Sequence, residues 1–344
     1  IDGRWGGIRE GLEEQTMGMA VAAKELIESH LRYPDGAPVE CVIADGTIGG
    51  GAVEKCSGEK ALEVLQSKQS LVQGYCLAPN QVADIGMICG GNVTVFFQYF
   101  DPQAEADTAL LRGILELLNG NQNSWLVYRM DDGCVSAMGT YDEAHGLRFT
   151  DCITPDELRP MLRADAVTKK GEPRYYVEPL TRAGYAYIFG GGHVGAALVP
   201  VLASVDFRVV VYDNRPGFAT PEHYPQAERV ILGDYLDIGA HLTLTENDYV
   251  CIMTPGHQAD REVLLQAMKT PACYVGCIGS RHKIASTNQY LMDNGVEEAE
   301  LSRIHAPIGI TIFAETPEEI AISIAAELIR CRAQLAGTEK ARKG

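Results

Sequence analysis

The sequence predicts an α/β protein: a C-terminal Rossmann-like, doubly wound parallel sheet with a smaller N-terminal α+β domain. Three observations carry this reading. Short apolar strands alternate with amphipathic helices through the C-terminal half, as in a parallel sheet covered on both faces. A G-x-G-x-x-G run falls between the first of those strands and the first helix. The first half lacks that alternation and mixes helical spacing with a hairpin signal.

In chain order, Met17, Ala20, Val21, Leu26, Ile27 and Leu31 recur at helical spacing and predict a helix over 17–31. A strand at Val39–Ala44, a glycine run at 49–51 and a short helix near 52–66 follow. Val93-Thr94-Val95-Phe96-Phe97 reads as a strand, 103–119 as a helix, and 124–130 and 134–139 as strands joined by the turn Asp131-Asp132-Gly133. This is the N-terminal domain, 1–164. Residues 165–184 are polar, with Lys169-Lys170-Gly171-Glu172-Pro173, and read as a linker. The C-terminal domain, 185–335, has expected strands at 185–189, 208–212, 229–232, 248–253 and 273–278, and helices at 193–204, 258–269 and 281–294. Its last helix is signalled by Thr316 as N-cap, Pro317 at N1 and Glu319 at N3, ahead of Ile320, Ile324, Ala325 and Leu328. A polar tail, 336–344, ends the chain.

The chain has 344 residues, 46% hydrophobic and 22% charged, a globular balance that excludes wholesale disorder. Its 29 Lys+Arg against 46 Asp+Glu leave a formal charge of −17, a field that repels a phosphate backbone, so nucleic acid is not an expected partner. Backbone N–H groups at a helix N-terminus could still bind a local anion. No apolar run reaches the ~18 residues a membrane span needs. The opening residues, Ile1 to Trp5, show no basic flank before an apolar core, so no membrane and a cytoplasmic location are expected; without an initiator Met, the true start is expected to lie upstream or to have been removed. The 10 cysteines are scattered singly without C-x-x-C, which suits reduced thiols rather than a disulfide or zinc framework.

Gly190-Gly191-Gly192-His193-Val194-Gly195 follows a strand and opens a helix. Gly190 allows a tight turn, Gly192 lets a pyrophosphate approach the backbone, and Gly195 lets helix and strand pack closely. Asp213 ends the next strand, where a carboxylate can receive two ribose hydroxyls, and Arg215 two residues on could face an extra phosphate. Two alternatives stay open here: a bound nucleotide-like ligand, or a structural glycine triplet. No hydride-transfer set is visible downstream.

At this point the residues resemble a family, the maturation factors of xanthine dehydrogenase and carbon monoxide dehydrogenase (XdhC/CoxI). The resemblance runs across 185–330 in the His193 glycine loop, Thr254-Pro255-Gly256-His257-Gln258-Ala259-Asp260, Gly276-Cys277-Ile278-Gly279-Ser280-Arg281-His282-Lys283, and Ile304-His305-Ala306-Pro307-Ile308-Gly309 leading to Ala314–Ala321. Thr47–Glu54 and Gly86-Met87-Ile88-Cys89-Gly90-Gly91 are similar to its other hallmark segments. The chain departs from the family where a Gly-Ser-x-Pro-Arg loop normally precedes the glycine run: Gly36-Ala37-Pro38 leads almost at once into a strand. It also keeps one of two histidines common around His257.

The resemblance implies an accessory protein rather than a catalyst. It would bind the molybdenum cofactor (molybdopterin), protect it while a cysteine desulfurase-type partner supplies sulfur, and hand it to an apo-molybdenum hydroxylase, acting as a homodimer. The implied cofactor site sits in a cleft between the domains, with the phosphate at the glycine loop and the metal end near Cys89. Cys89, flanked by Gly90 and Gly91, is either a soft thiolate ligand to molybdenum or a small buried thiol. Gly50, Gly51 and Glu54 form a second anion nest or a tight turn. His193 donates to a phosphate or pterin oxygen, or caps its helix. His257, with Asp260 orienting it, sits where ligands gather in open α/β sheets. Ser280, Arg281 and Lys283 open another helix with phosphate-compatible cations. His305 is a further pocket residue, and Glu315, Glu318 and Glu319 are helix-capping charges. The rival readings are an NAD(P)-dependent oxidoreductase and a nucleotide-sensing regulatory Rossmann module.

Overall fold

The structure, a computed structural model, describes residues 15–17, 51–76, 92–101, 103–131, 134–163, 167–169, 171, 173–279 and 281–335. The expected helix at 17–31 lies outside the described residues except for Met17, which ends a strand instead, and the strand at 39–44, the segment around Cys89 and the tail at 336–344 lie outside them altogether. Two compact units are present, Ile1–Arg182 and Ala183–Gly344.

The first unit holds two sheets. One is a three-stranded sheet of β1 (Gln15–Met17), β3 (Asn92–Phe97) and β2 (Leu71–Cys76), in the order β1-β3-β2. Helix α1 (Gly51–Ser67) packs Val64 beside Val95 and Phe97. The other sheet is antiparallel, ordered β6-β5-β4-β8-β7 from β4 (Ser124–Asp131), β5 (Cys134–Asp142), β6 (Gly146–Arg148), β7 (Val167–Lys169) and β8 (Arg174–Thr181). Helix α2 (Glu105–Asn119) buries Leu110, Leu111, Ile114 and Leu117, one stripe at helical spacing, with Phe96, Leu126, Tyr128 and Tyr176. A short helix, α3 (Pro155–Leu158), begins the cover of the opposite face, where Ile153, Leu158 and Met161 meet Val127 and Val177.

The stretch 165–184 is not the linker its composition suggests. It contains β7 and β8, and β8 lies between β4 and β7. Tyr176 and Leu180 face the α2 side, whereas Tyr175 and Val177 face the other. With both faces covered, the strand shows no polar alternation, and the Lys-Lys-Gly-Glu-Pro run beside it in the sequence dominates the composition. The boundary between units falls after Arg182.

The second unit has one parallel six-stranded sheet, β11-β10-β9-β12-β13-β14. Its strands are β9 (Ala186–Phe189), β10 (Val209–Asp213), β11 (Arg229–Leu232), β12 (Tyr249–Ile252), β13 (Tyr274–Cys277) and β14 (Ile304–His305). This is the doubly wound order, reversing direction between β9 and β12. Helices α4 (His193–Ser204) and α7 (Pro317–Leu335) cover one face through Leu198, Leu202, Ile324 and Leu328. Helices α5 (His257–Ala267) and α6 (Arg281–Asp293) cover the other through Val263, Leu264 and Leu291. The capping box of α7 forms as expected: Glu319 N–H donates to the Thr316 hydroxyl at 3.2 Å, and Thr316 N–H donates to the Glu319 carboxylate at 3.1 Å.

Pro200 sits inside α4 and is exposed, so it withholds an N–H from the helix without packing in return. We expect Pro200→Ala to raise the stability of the second unit by about 1 kcal/mol or more. A fall in the urea midpoint would contradict this.

Candidate functional site

The C-terminal ends of β9, β10, β12 and β13 form one rim of the second sheet, and the glycine loop sits at its centre. Gly190 takes φ +115°, a region that L side chains avoid, and a Cβ there would run into the Met253–Thr254 backbone on the neighbouring strand. Its N–H donates to Tyr212 O at 2.9 Å, pinning the turn to β10. A Cβ on Gly195 would strike the Gly190 carbonyl, which is why helix and strand can approach only with glycine there. Gly192 differs: it is the N-cap of α4, with extended backbone, and nothing lies within 4 Å of the position a Cβ would take. The loop is therefore braced on both sides and open in the middle, beside the free N–H groups that begin a 12-residue helix. His193 stands exposed in that first turn.

Asp213 does not wait for a ribose. Its side chain has no exposed area. One oxygen, Oδ2, accepts from Gly191 N–H at 2.8 Å and from Arg215 Nη2 at 2.7 Å; Oδ1 accepts from Arg215 N–H at 2.9 Å and Nε at 2.8 Å. Burial alone would raise its pKa, but the Arg215 guanidinium, the two backbone donors and the Arg215 charge together hold it below the ordinary carboxylate value. Arg215 is in turn stacked over Phe218, 3.6 Å from guanidinium carbon to ring centroid. The Tyr224 hydroxyl completes the brace, donating to Gly191 O at 2.6 Å. The expected ribose acceptor and the expected phosphate cation thus hold each other.

On the next strand, Asp260 holds the loop after β12 rather than His257. Its Oδ1 accepts from Thr254 N–H at 2.9 Å and from the Thr254 hydroxyl at 2.6 Å. His257 is exposed as the first residue of α5. Below it is a pocket lined by His257, Asp260, Cys277, Thr287, Asn288 and Ala306, among others. Burial and then the Asp260 charge push the Cys277 thiol up to about 12, so it is a neutral thiol.

His305 turns away from this pocket. Its ring stacks on Tyr274 with centroids 4.4 Å apart, and its Nδ1 lies 3.3 Å from Glu327 Oε1. Glu327, 5% exposed, also accepts from Tyr274 Oη at 2.7 Å, Gly309 N–H at 2.6 Å and Arg330 Nη2 at 2.9 Å. Burial opposes its charge, but His305, Tyr274 and Gly309 outweigh it and bring its pKa down to about 2. His305 therefore belongs to the buried network that ties α7 to β13 and β14.

The structure thus brings Gly190, Gly192, His193, Gly195, Asp213, Arg215, His257 and Asp260 to one rim of the sheet. Cys89, Gly90, Gly91, Gly50 and Ser280 lie outside the described residues; Gly51 and Glu54 fall in the first turn of α1, and Arg281 and Lys283 in that of α6, with nothing of those side chains described. Sequence reasoning does not assign Cys277, Thr287 or Asn288 to a pocket, because they come from different elements and share no motif. It also passes over Tyr224 and Glu327. For Glu327 a signal exists, a lone carboxylate in the apolar stripe of α7.

Residues 186–328 match the XdhC Rossmann domain, and the C-terminal unit is such a domain. The XdhC resemblance read from the motifs of this half is borne out. The chain is 25% identical to the uncharacterised protein YqeB of Escherichia coli over 93% of its own length and 45% of that protein's. It is 28% identical to a probable xanthine dehydrogenase component of Bacillus subtilis over 160 residues, 46% of either chain. Among solved structures, a Bacillus halodurans protein described as a xanthine dehydrogenase shares the fold, with TM-score 0.71, 23% identity and 93% and 97% of the two chains covered. The N-terminus has a different relative. Residues 1–72 match the first N-terminal domain of L-fucose isomerase, and 60 residues are 62% identical to that enzyme from Bacteroides fragilis, 17% of this chain and 10% of the isomerase. The chain thus spans less than half the length of YqeB and about a tenth of the isomerases. The glycine run at 49–51 lies inside the isomerase match.

Two expectations follow from this geometry. Gly192→Ala should keep wild-type stability in urea, because its Cβ meets nothing, whereas Gly195→Ala should lose about 2 kcal/mol or more through its clash with Gly190 O. Equal losses would overturn the division of roles. For Glu327, whose folded pKa is depressed, the charge-dependent stability is present above the unfolded value of 4.5 and is lost as pH falls toward about 2. Glu327→Gln should cost about 3 kcal/mol at pH 7, and the gap from wild type should narrow steadily below pH ~4.5 in denaturation midpoints.

Proposed function

We propose, for a chain whose C-terminal unit is an XdhC Rossmann domain, that it is a maturation factor for a xanthine dehydrogenase-type molybdenum hydroxylase. It carries the molybdenum cofactor, keeps it while sulfur is added, and delivers it to the apo-hydroxylase. The observation that carries this reading is the glycine loop: closed by contacts at Gly190, Gly191 and Gly195, open at Gly192, and lying beside helix N–H groups. Those N–H groups and Gly192 fit the phosphate of a pterin phosphate, and His193, exposed in the same turn, is in reach of a hydrogen-bonding role to that group. The family resemblance assigns the metal end to Cys89, a soft ligand between Gly86 and Gly90. When bound, the cofactor supplies the hydroxylase with its molybdenum and dithiolene. This chain's own part is to hold the anion through backbone donors that need no protonation change.

The relatives' names support a hydroxylase client, a cysteine desulfurase-type sulfur donor fits the sulfuration step, and the working unit is a homodimer. No described helix is long and apolar enough to cross a membrane, in keeping with action on soluble, cytoplasmic clients. The isomerase-like segment represents a tenth of those enzymes and brings no isomerase activity into this reading.

The test is to purify the protein from a molybdenum-replete host and measure bound molybdenum and pterin fluorescence. Wild type should retain both, while Cys89→Ala and Gly192→Ala, folded by circular dichroism, should each lose most of the molybdenum, by about tenfold. Wild-type protein free of molybdenum and pterin would sink the reading. Saturable NADH turnover would move it to the oxidoreductase rival, and adenine nucleotide binding without pterin to the regulatory one.

A further inference from the structure

The glycine loop has the strand order and turn of a dinucleotide site, yet the residue such a site uses to grip ribose is already engaged. A carboxylate offers about four lone-pair positions. Asp213 spends all four, on Gly191 N–H, Arg215 N–H, Arg215 Nε and Arg215 Nη2, at 2.7 to 2.9 Å. Three of those donors belong to one residue. The arrangement is fixed from outside as well. Phe218 N–H and Ala219 N–H both donate to Arg215 O, at 2.9 and 3.0 Å, and Pro216 stiffens the turn between them. The guanidinium lies over the Phe218 ring. Arg215 is therefore preorganised in the place where a ribose diol would have to donate, and it covers the carboxylate from solvent.

We propose that Arg215 is a specificity-determining residue. By saturating Asp213, it makes the glycine loop selective for phosphate-bearing ligands without a vicinal ribose diol at the end of β10, and excludes adenine dinucleotides. The proposal rests on the loop being an anion site, as in the function proposed above, and it assigns the ligand class: a phosphomonoester such as a pterin phosphate, not NAD(H). The selectivity comes from a repulsive element. To accept a diol, the site must first detach a bidentate guanidinium from a buried carboxylate, and nothing in the ligand replaces that pairing.

The experiment is calorimetric titration of the full chain with NADH and with ADP-ribose. Wild type should show no saturable binding up to about 1 mM, whereas Arg215→Ala should bind both at least about tenfold more tightly than that limit. Arg215→Met, which keeps an alkyl stem against Phe218, serves if the alanine variant is unfolded by circular dichroism, and should gain affinity in the same way. Saturable wild-type binding of NADH below about 1 mM would overturn the proposal, as would a folded variant that gains nothing. Molybdenum and pterin content of the same wild-type preparation is read independently. A carrier that holds pterin and also binds NADH would defeat the selectivity alone, and a protein that holds neither would defeat the function proposed above while leaving the gain on substitution to be scored.

Discussion

The rim of the second sheet depends on one carboxylate. Asp213 joins the end of β10 to the glycine loop through Gly191 N–H and fixes the turn that follows through Arg215. Because the carboxylate is buried, each donor it loses would leave a desolvated charge uncompensated, so the four contacts act as a unit. The loop's shape follows from it. With Gly191 held by Asp213 and Tyr224, and Gly190 held by Tyr212 and the β12 backbone, only Gly192 remains free of neighbours. The loop is thereby left with one open position, beside the first turn of α4.

The protein's net charge of −17 makes that construction useful. In such a field cationic side chains are drawn into pairs, as the structure shows for Arg208 with Glu228, Arg215 with Asp213 and Arg330 with Glu327. Backbone N–H groups at the start of α4 cannot be neutralised this way. Their partial charge belongs to the helix, and it falls off within a turn, so it acts at short range even in an acidic field. A bidentate arginine clamp would attract an anion more strongly, so backbone donors are the weaker and more local of the two devices.

The features legible in the sequence are those encoded locally. The glycine spacing, the apolar strands β9, β10, β12 and β13, and the Thr316–Glu319 cap each lie within a few residues of chain, and each forms as its pattern requires. The features that escape it depend on partners distant in sequence. Strand β8 reads as part of a linker because its burial comes from β4 and from cover on both faces, none of it visible in residues 174–181. Asp213 and Arg215 are each recognisable as chemically able, but composition offers one to a ribose and the other to a phosphate. Two opposite charges at i and i+2 past a strand end can meet only if the chain turns back, and here the Asp213 carboxylate closes that turn itself by accepting from Arg215 N–H, which residue types alone do not reveal. His305 reads as a pocket residue for the same reason, since Glu327, which holds it, lies 22 residues away on α7.

The two ancestries in the chain bear unequally on the site. Every described contact that shapes the glycine loop, from Gly190 with the Met253–Thr254 backbone to Asp213 with Arg215 and Tyr224 with Gly191, lies within residues 186–328, the span of the XdhC Rossmann match. The isomerase-like stretch ends by residue 72, before the antiparallel sheet of the first unit begins at Ser124. The isomerase-like match and the Rossmann match therefore share no residue, and the contacts that fix the shape of the glycine loop owe nothing to the first 72 residues. What braces Gly190, Gly191 and Gly195 and leaves Gly192 open is encoded wholly within the second unit.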